Sequence, residues 1–114
     1  MTDAAGEKNK DWKAKVAFYA KSAMGDHLPL PGVIRVKMRF YLPRPKSHYN
    51  SKKELKKNAP TWCDKRPDIL KLARSTEDAL TGIVYQDDSQ TCSLYLEKLY
   101  SENPGVAILI QTLL

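Results

Sequence analysis

Residues 66–90 read Arg-Pro-Asp-Ile-Leu-Lys-Leu-Ala-Arg-Ser-Thr-Glu-Asp-Ala-Leu-Thr-Gly-Ile-Val-Tyr-Gln-Asp-Asp-Ser-Gln. Pro67 and Asp68 open a helix, with Asp68 in the favoured capping place. Ile69, Leu72, Ala73, Thr76 and Leu80 recur at helical spacing and form a narrow core-facing stripe. Gly82 stands where that helix should stop. Ile83 to Tyr85 reads as a brief apolar strand, and Gln86 to Ser89 as a turn carrying Asp87 and Asp88. Acidic residues therefore sit at both ends of one helix, just past a basic stretch.

Working upstream, residues 33–42 alternate at period two. Ile34, Val36, Met38, Phe40 and Leu42 face one way; Arg35, Lys37, Arg39 and Tyr41 face the other, as in a half-buried strand. That row of three cations suits either phosphate or plain solvent. Residues 9–24 read as a helix with Trp12, Val16, Tyr19, Ala20 and Ala23 on one face, Asp11 as cap and Gly25 as stop. Residues 26–32, with Pro29 and Pro31, form a turn.

Downstream, residues 91–100 and 105–114 read as two strands joined by Ser-Glu-Asn-Pro-Gly, a hairpin-type loop. The last, Gly-Val-Ala-Ile-Leu-Ile, is apolar on both faces, which places it in the centre of the sheet or at an interface. Helix, strand, loop, helix and strands in that order predict an α+β fold: a small mixed sheet packed with two main helices.

The net charge of +6 is localised. Between Pro43 and Pro67, Arg44, Lys46, Lys52, Lys53, Lys56, Lys57, Lys65 and Arg66 face only Glu54 and Asp64; eight minus two accounts for all of it. Such a patch is an electrostatic footprint for nucleic acid, or a solvated loop that keeps the protein soluble. Ser51 to Asn58 reads as a short helix inside this basic loop. The 114 residues form one domain (1–114), which buries roughly 65% of its unfolded surface. No apolar run is long enough to span a bilayer, and Met-Thr-Asp-Ala-Ala-Gly-Glu-Lys lacks a signal layout, so a cytoplasmic protein without membrane contact is expected. Cys63, Cys92, His27 and His48 are isolated; free thiols are expected rather than a zinc site, which needs four ligands.

Magnesium prefers carboxylate oxygens and keeps several waters. Held against a phosphodiester, it activates water and offsets charge on the leaving oxygen. Asp68 with Asp87 or Asp88 are plausible suppliers, although each also has a plain role in a cap or a turn. Arg74 suits a phosphate, or pairs with Asp78 one turn along.

Arg66-Pro67-Asp68, Leu72, Arg74, Asp78-Ala79-Leu80, Gly82-Ile83-Val84-Tyr85, Asp87-Asp88-Ser89-Gln90, Lys98 and Gly105-Val106-Ala107-Ile108 resemble the signature of the RusA family of Holliday-junction resolvases, often phage- or prophage-borne. That signature runs Lys-Pro-Asp-x-Asp-Asn-Leu-x-Lys, Asp-Ala-Leu, Asp-Asp-x-Gln, a strand with a lysine, and a Gly-Val-x-Ile-type strand. The resemblance covers about the last fifty residues. It implies a small homodimer that cuts four-way DNA junctions by paired, magnesium-dependent nicks (manganese as a substitute) in recombination and repair. It further implies Asp68, Asp88 and Arg74 as catalytic residues, and a metal held by Asp68 and Asp88 with help from Asp87 or Glu77. DNA contacts would come from Lys46, Lys52, Lys53, Lys56, Lys57, Lys65, Arg66, Lys71 and Lys98.

Two departures stand out. The family's second aspartate is Leu70 here, followed by Lys71 in place of asparagine. Leucine binds no metal, and Glu77 lies about 10 Å further along the helix axis at ~1.5 Å per residue, so the ion would shift toward the helix C-terminus. The family's usual first strand also has no counterpart before the first helix. A DNA-binding protein that kept the fold and lost the chemistry is the second expectation. A small scaffold or RNA-binding module ranks below both, for want of an aromatic stacking surface.

Overall fold

The structure is a computed structural model and describes residues 4–113. Residues 1–3, at the start of the segment expected to lack a signal layout, and Leu114, at the end of the expected last strand, lie outside it. Helix α1 spans Ala4–Met24, strand β1 Ile34–Leu42, helix α2 Ile69–Leu80, strand β2 Thr91–Tyr100 and strand β3 Gly105–Thr112. Two single 3-10 turns cover Lys46–His48 and Asp88–Gln90. The α+β class is as expected: two helices and a three-stranded mixed sheet.

Strand β1 is the centre of the sheet, in the order β2-β1-β3, parallel to β2 and antiparallel to β3. Its alternation is realised residue by residue. Ile34, Val36, Met38 and Phe40 are buried toward the helices, while Lys37 and Arg39 stay exposed on the other face. There Arg35 Nε donates to Ser93 Oγ at 2.9 Å, Arg39 pairs with Glu97 at 2.9 Å, and the Lys37 ammonium lies 5.6 Å from the Tyr95 ring centre.

The expected hairpin between the last two strands does not form, because β1 lies between them. Crossing two interstrand spacings needs roughly 9.6 Å. Four residues, 101–104, reach roughly 13 Å, so a short loop permits the crossing. Ser101 N donates to Leu42 O at 2.9 Å as the chain passes the end of β1. Strand β3 is therefore an edge, not the centre.

Helices α1 and α2 cover one face of the sheet. The α1 residues turned inward are Trp12, Val16, Ala20 and Met24, a strict every-fourth row. Tyr19, 69% exposed, and Ala23 point outward, contrary to the expected face. Asp11 does not cap α1, which begins seven residues earlier at Ala4. Gly25, at φ +54, ends it through Gly25 N to Lys21 O, a backbone geometry that glycine adopts freely. The α2 stripe is as expected: Ala73, Thr76 and Leu80 are buried, and Ile69 and Leu72 pack against them. Thr76, with no exposed surface, accepts from Trp12 Nε1 at 3.2 Å and donates to Leu72 O at 2.7 Å, so its hydroxyl is satisfied while tying the helices together.

Two further local expectations are corrected. Ile83–Tyr85 is a turn, not a strand: Ile83 N and Val84 N both donate to Leu80 O, prolonging the helix end, and only Tyr85 bridges Leu30. Gly82 supports this turn at φ +87. Ser51–Asn58 is not a helix either. Asn50 Oδ1 accepts from Lys52 N and Glu54 N, closing a local turn that competes with helix formation. The basic loop is pinned at both flanks. Arg44 donates to Pro60 O at 2.7 Å and lies over the Tyr100 ring, while Cys63 N donates to Lys98 O and Tyr100 N to Thr61 O on the outer edge of β2. Cys63 and Cys92 are free thiols, Cys63 buried and Cys92 exposed.

Candidate nuclease site

Leu70, Arg74 and Glu77 recur at i, i+4 and i+7 of α2 and so share one face. That face forms the wall of an open cleft of about 660 Å³, closed on the other side by Asp88 of the acidic turn and Leu94 of β2. Asp78 and Lys71 line its rim.

The acidic turn is fixed by its own side chains. Asp87 Oδ1 accepts from Ser89 N at 2.9 Å, and Gln90 Oε1 accepts from the amides of Gln86 and Asp87, a reciprocal capping box. Gln90 Nε2 then donates to Leu30 O and Gly32 O, anchoring the turn to the entry of β1. The Ser89 bonds hold the Asp87 carboxyl below its ordinary pKa. Asp87 is thus engaged in the turn, which leaves Asp88 facing the cleft.

Glu77 is the unusual acid. Burial pushes its pKa up; the Thr91 hydroxyl opposes this and the negative charges of Asp88 and Asp78 add to it. Although Thr91 lies near enough to lower that pKa, neither Glu77 Oε1 nor Thr91 Oγ1 completes a hydrogen bond of good geometry, and both atoms are buried. A buried carboxylate oxygen without a donor, beside a second carboxylate, is a costly arrangement that a cation would relieve. Beneath it, the fully buried Tyr85 has its hydroxyl pKa raised, chiefly by burial and next by Glu77.

This has a consequence for stability. Glu77 carries a raised pKa in the folded state, so it costs nothing below the unfolded value, where both states are protonated. Stability then falls as pH rises from the unfolded value to the folded one, and the full cost remains above it. Glu77→Gln should therefore raise the metal-free Tm at neutral pH and leave it unchanged at about pH 3.5, below the unfolded glutamate value. A thermal melt at the two pH values checks this.

Asp68 occupies the capping place of α2, as expected, but its side chain makes no capping bond. Its carboxylate lies 3.9 Å from the Lys71 ammonium and is exposed. It stands outside the lining of the cleft. Nine residues from Glu77, it is roughly 13 Å away along the axis. Among the described residues no three of His, Cys, Asp and Glu come together as a metal site. The gathered pair is Glu77 with Asp88. Such a pair fits a hard dication, since magnesium is commonly held by one or two carboxylates and completed by water and phosphate.

Arg74 does not pair with Asp78, which instead meets Lys13 of α1 at 3.4 Å. Among the described residues Arg74 makes no ion pair, and it is one of the residues lining the acidic cleft. Lys46, Lys52, Lys53, Lys56, Lys57, Lys65 and Arg66 are all exposed. Lys98 is turned inward: its ammonium donates to Lys65 O and to Pro67 O, the latter at 2.8 Å. Leu94 in the lining of this cleft, and Thr91 beside Glu77, are not evident from the sequence. Thr91 follows the Asp-Asp-Ser-Gln run directly, which was the only hint.

A helix-on-sheet domain with paired acids in a cleft and a basic loop nearby has the parts that phosphodiester cleavage calls for. The family comparison gives the same class: the model for "Endodeoxyribonuclease RusA" matches residues 4–111. The chain belongs to the RusA family, endodeoxyribonucleases that act on branched DNA and are generally dependent on a divalent metal. A protein of Bacillus subtilis (strain 168), described as "Uncharacterized protein YqaN", is 34% identical over 109 residues, covering 91% of this chain and 74% of that protein. No solved structure matches. Among the described residues no helix is long and apolar enough to cross a membrane.

Proposed function

We propose that this protein is a cytoplasmic, metal-dependent endonuclease that resolves four-way DNA junctions by paired nicks, acting as a homodimer. The observation that carries the reading is the pairing of Glu77 and Asp88 in the lining of one cleft, with Glu77 keeping one buried oxygen that has no hydrogen-bond partner among the described residues. These two carboxylates would hold the ion, magnesium in the cell, in place of a ligand set that included the position of Leu70. Magnesium there supplies an activated water and charge neutralisation on the phosphodiester.

The chain's own residues do the rest. Arg74, without an ion pair among the described residues, binds a non-bridging phosphate oxygen with its planar fork. Asp68, whose carboxylate caps nothing, stands roughly 13 Å from Glu77 along the helix axis, beyond hydrogen-bond reach of a water at the paired acids, so no proton transfer is assigned to it. The basic loop lays the DNA backbone across the site. The exposed β3 edge, with Leu109 half-exposed, offers a surface for a second copy.

The test is nicking of a synthetic four-way junction with magnesium or manganese. Metal-dependent, paired nicks in the junction and not in linear duplex are expected. Tight, salt-sensitive junction binding with no nicks under either metal would overturn the nuclease reading. It would favour the second one, a junction-binding protein with weakened chemistry, for which Leu70, 71% exposed at the cleft, is the specific observation. In that case Leu70→Asp should restore nicking. The exposed position tolerates the change within about 0.5 kcal/mol.

A further inference from the structure

We infer that Lys98 is a positioning residue, whose ammonium fixes the backbone bend at Lys65–Pro67 that sets the first turn of α2, where Leu70 and Lys71 line the cleft. The inference rests on the nuclease reading for its effect on rate, and on geometry for the rest.

Lys98 lies on β2 opposite Phe40, whose side chain is buried on the helix-covered face. From there Nζ donates to Lys65 O and Pro67 O, the carbonyls flanking Arg66. The same stretch is held from two other directions: Cys63 N donates to Lys98 O, and the Cys63 thiol lies 3.7 Å from Lys65 O. Immediately beyond it, Asp68 O accepts from Lys71 N and Leu72 N, so the bend passes directly into the first turn of α2. Two carbonyl acceptors on one ammonium make charge-assisted bonds, stronger than neutral ones. An ammonium with two of its three donors engaged in this way is not displayed to a phosphate. This separates Lys98 from the exposed lysines of the loop.

The alternative, a direct DNA contact, makes an opposite forecast. A phosphate contact contributes about 0.9 to the salt slope of binding. Lys98→Met should leave the slope of junction binding against salt unchanged. It should slow nicking under saturating magnesium about tenfold or more, as loss of an outer partner does. Hydrogen exchange should quicken across residues 64–72 and nowhere else. Lys98→Arg, which can still donate to two carbonyls, should restore both the rate and the protection.

A slope reduced by about one unit would overturn the inference, as would unchanged exchange across 64–72 in Lys98→Met. If that variant fails to fold, Lys98→Gln and Lys98→Arg are compared in the same assays, and equal protection in the two would overturn it. If the unaltered protein makes no nicks, the nuclease reading fails, while the exchange and salt measurements still decide the role of Lys98.

Discussion

Asp88→Asn should reduce junction nicking by about a hundredfold or more while junction affinity changes little. The turn that carries Asp88 is held by Asp87 and Gln90, not by Asp88 itself, so the substitution leaves the scaffold in place. Asparagine keeps the volume and loses the charge. Of the gathered pair only Glu77 then remains, Asp78 at the rim being paired with Lys13. A second readout needs no turnover. Magnesium should raise the Tm of the unaltered protein through preferential binding to the folded state, and raise it far less in Asp88→Asn. If Asp88→Asn nicks as well as the unaltered protein, Asp88 is no part of the mechanism.

The second large effect belongs to DNA binding. Replacing Lys52, Lys53, Lys56 and Lys57 together by glutamine should weaken junction binding on the order of a hundredfold at low salt, and lower the salt slope by up to about 3.6, from about 0.9 per phosphate contact. All four are exposed, and none makes an ion pair among the described residues. The nearby Arg44 is different: it braces the loop against Pro60 and Tyr100. Arg44→Ala should therefore loosen the loop rather than remove a single charge. A titration of binding at four salt concentrations separates the cases. An unchanged slope in the four-lysine variant would remove the loop from the interface.

Much of the fold was legible because period is a strong signal. The alternation of β1 and the stripe of α2 follow from which residues must leave water, and both appear as the residues imply. The hairpin was not legible, since nothing local in Ser101–Pro104 says whether another strand slips between its ends. The α1 face was misread for a related reason. Tyr19 and Ala23 have helical spacing, but the partner surface is narrow enough to cover only the Trp12-Val16-Ala20-Met24 row.

The site divides in the same way. The composition of the acidic run identified the candidates, whereas their division of labour depended on hydrogen bonds. Asp87 is drawn into the turn by Ser89, and Asp88 is left facing the cleft. Glu77 stands out only because its oxygen is buried without a donor. For Lys98, sequence gives a cation on a strand, and only the fold reveals that the cation points at carbonyls.

The position of β1 also bears on how the molecule is made. Its two neighbours lie forty or more residues further along the chain, and one of them is the last of the described strands. During synthesis, β1 leaves the ribosome with both hydrogen-bonding edges bare, and one stays bare until Gly105–Thr112 has cleared the exit tunnel. Such distant pairing is slow to form. A nascent chain stalled near Tyr100 would expose the Ile34–Leu42 strand as a ready template for aggregation, so loss of the last ten residues should show first as insoluble protein.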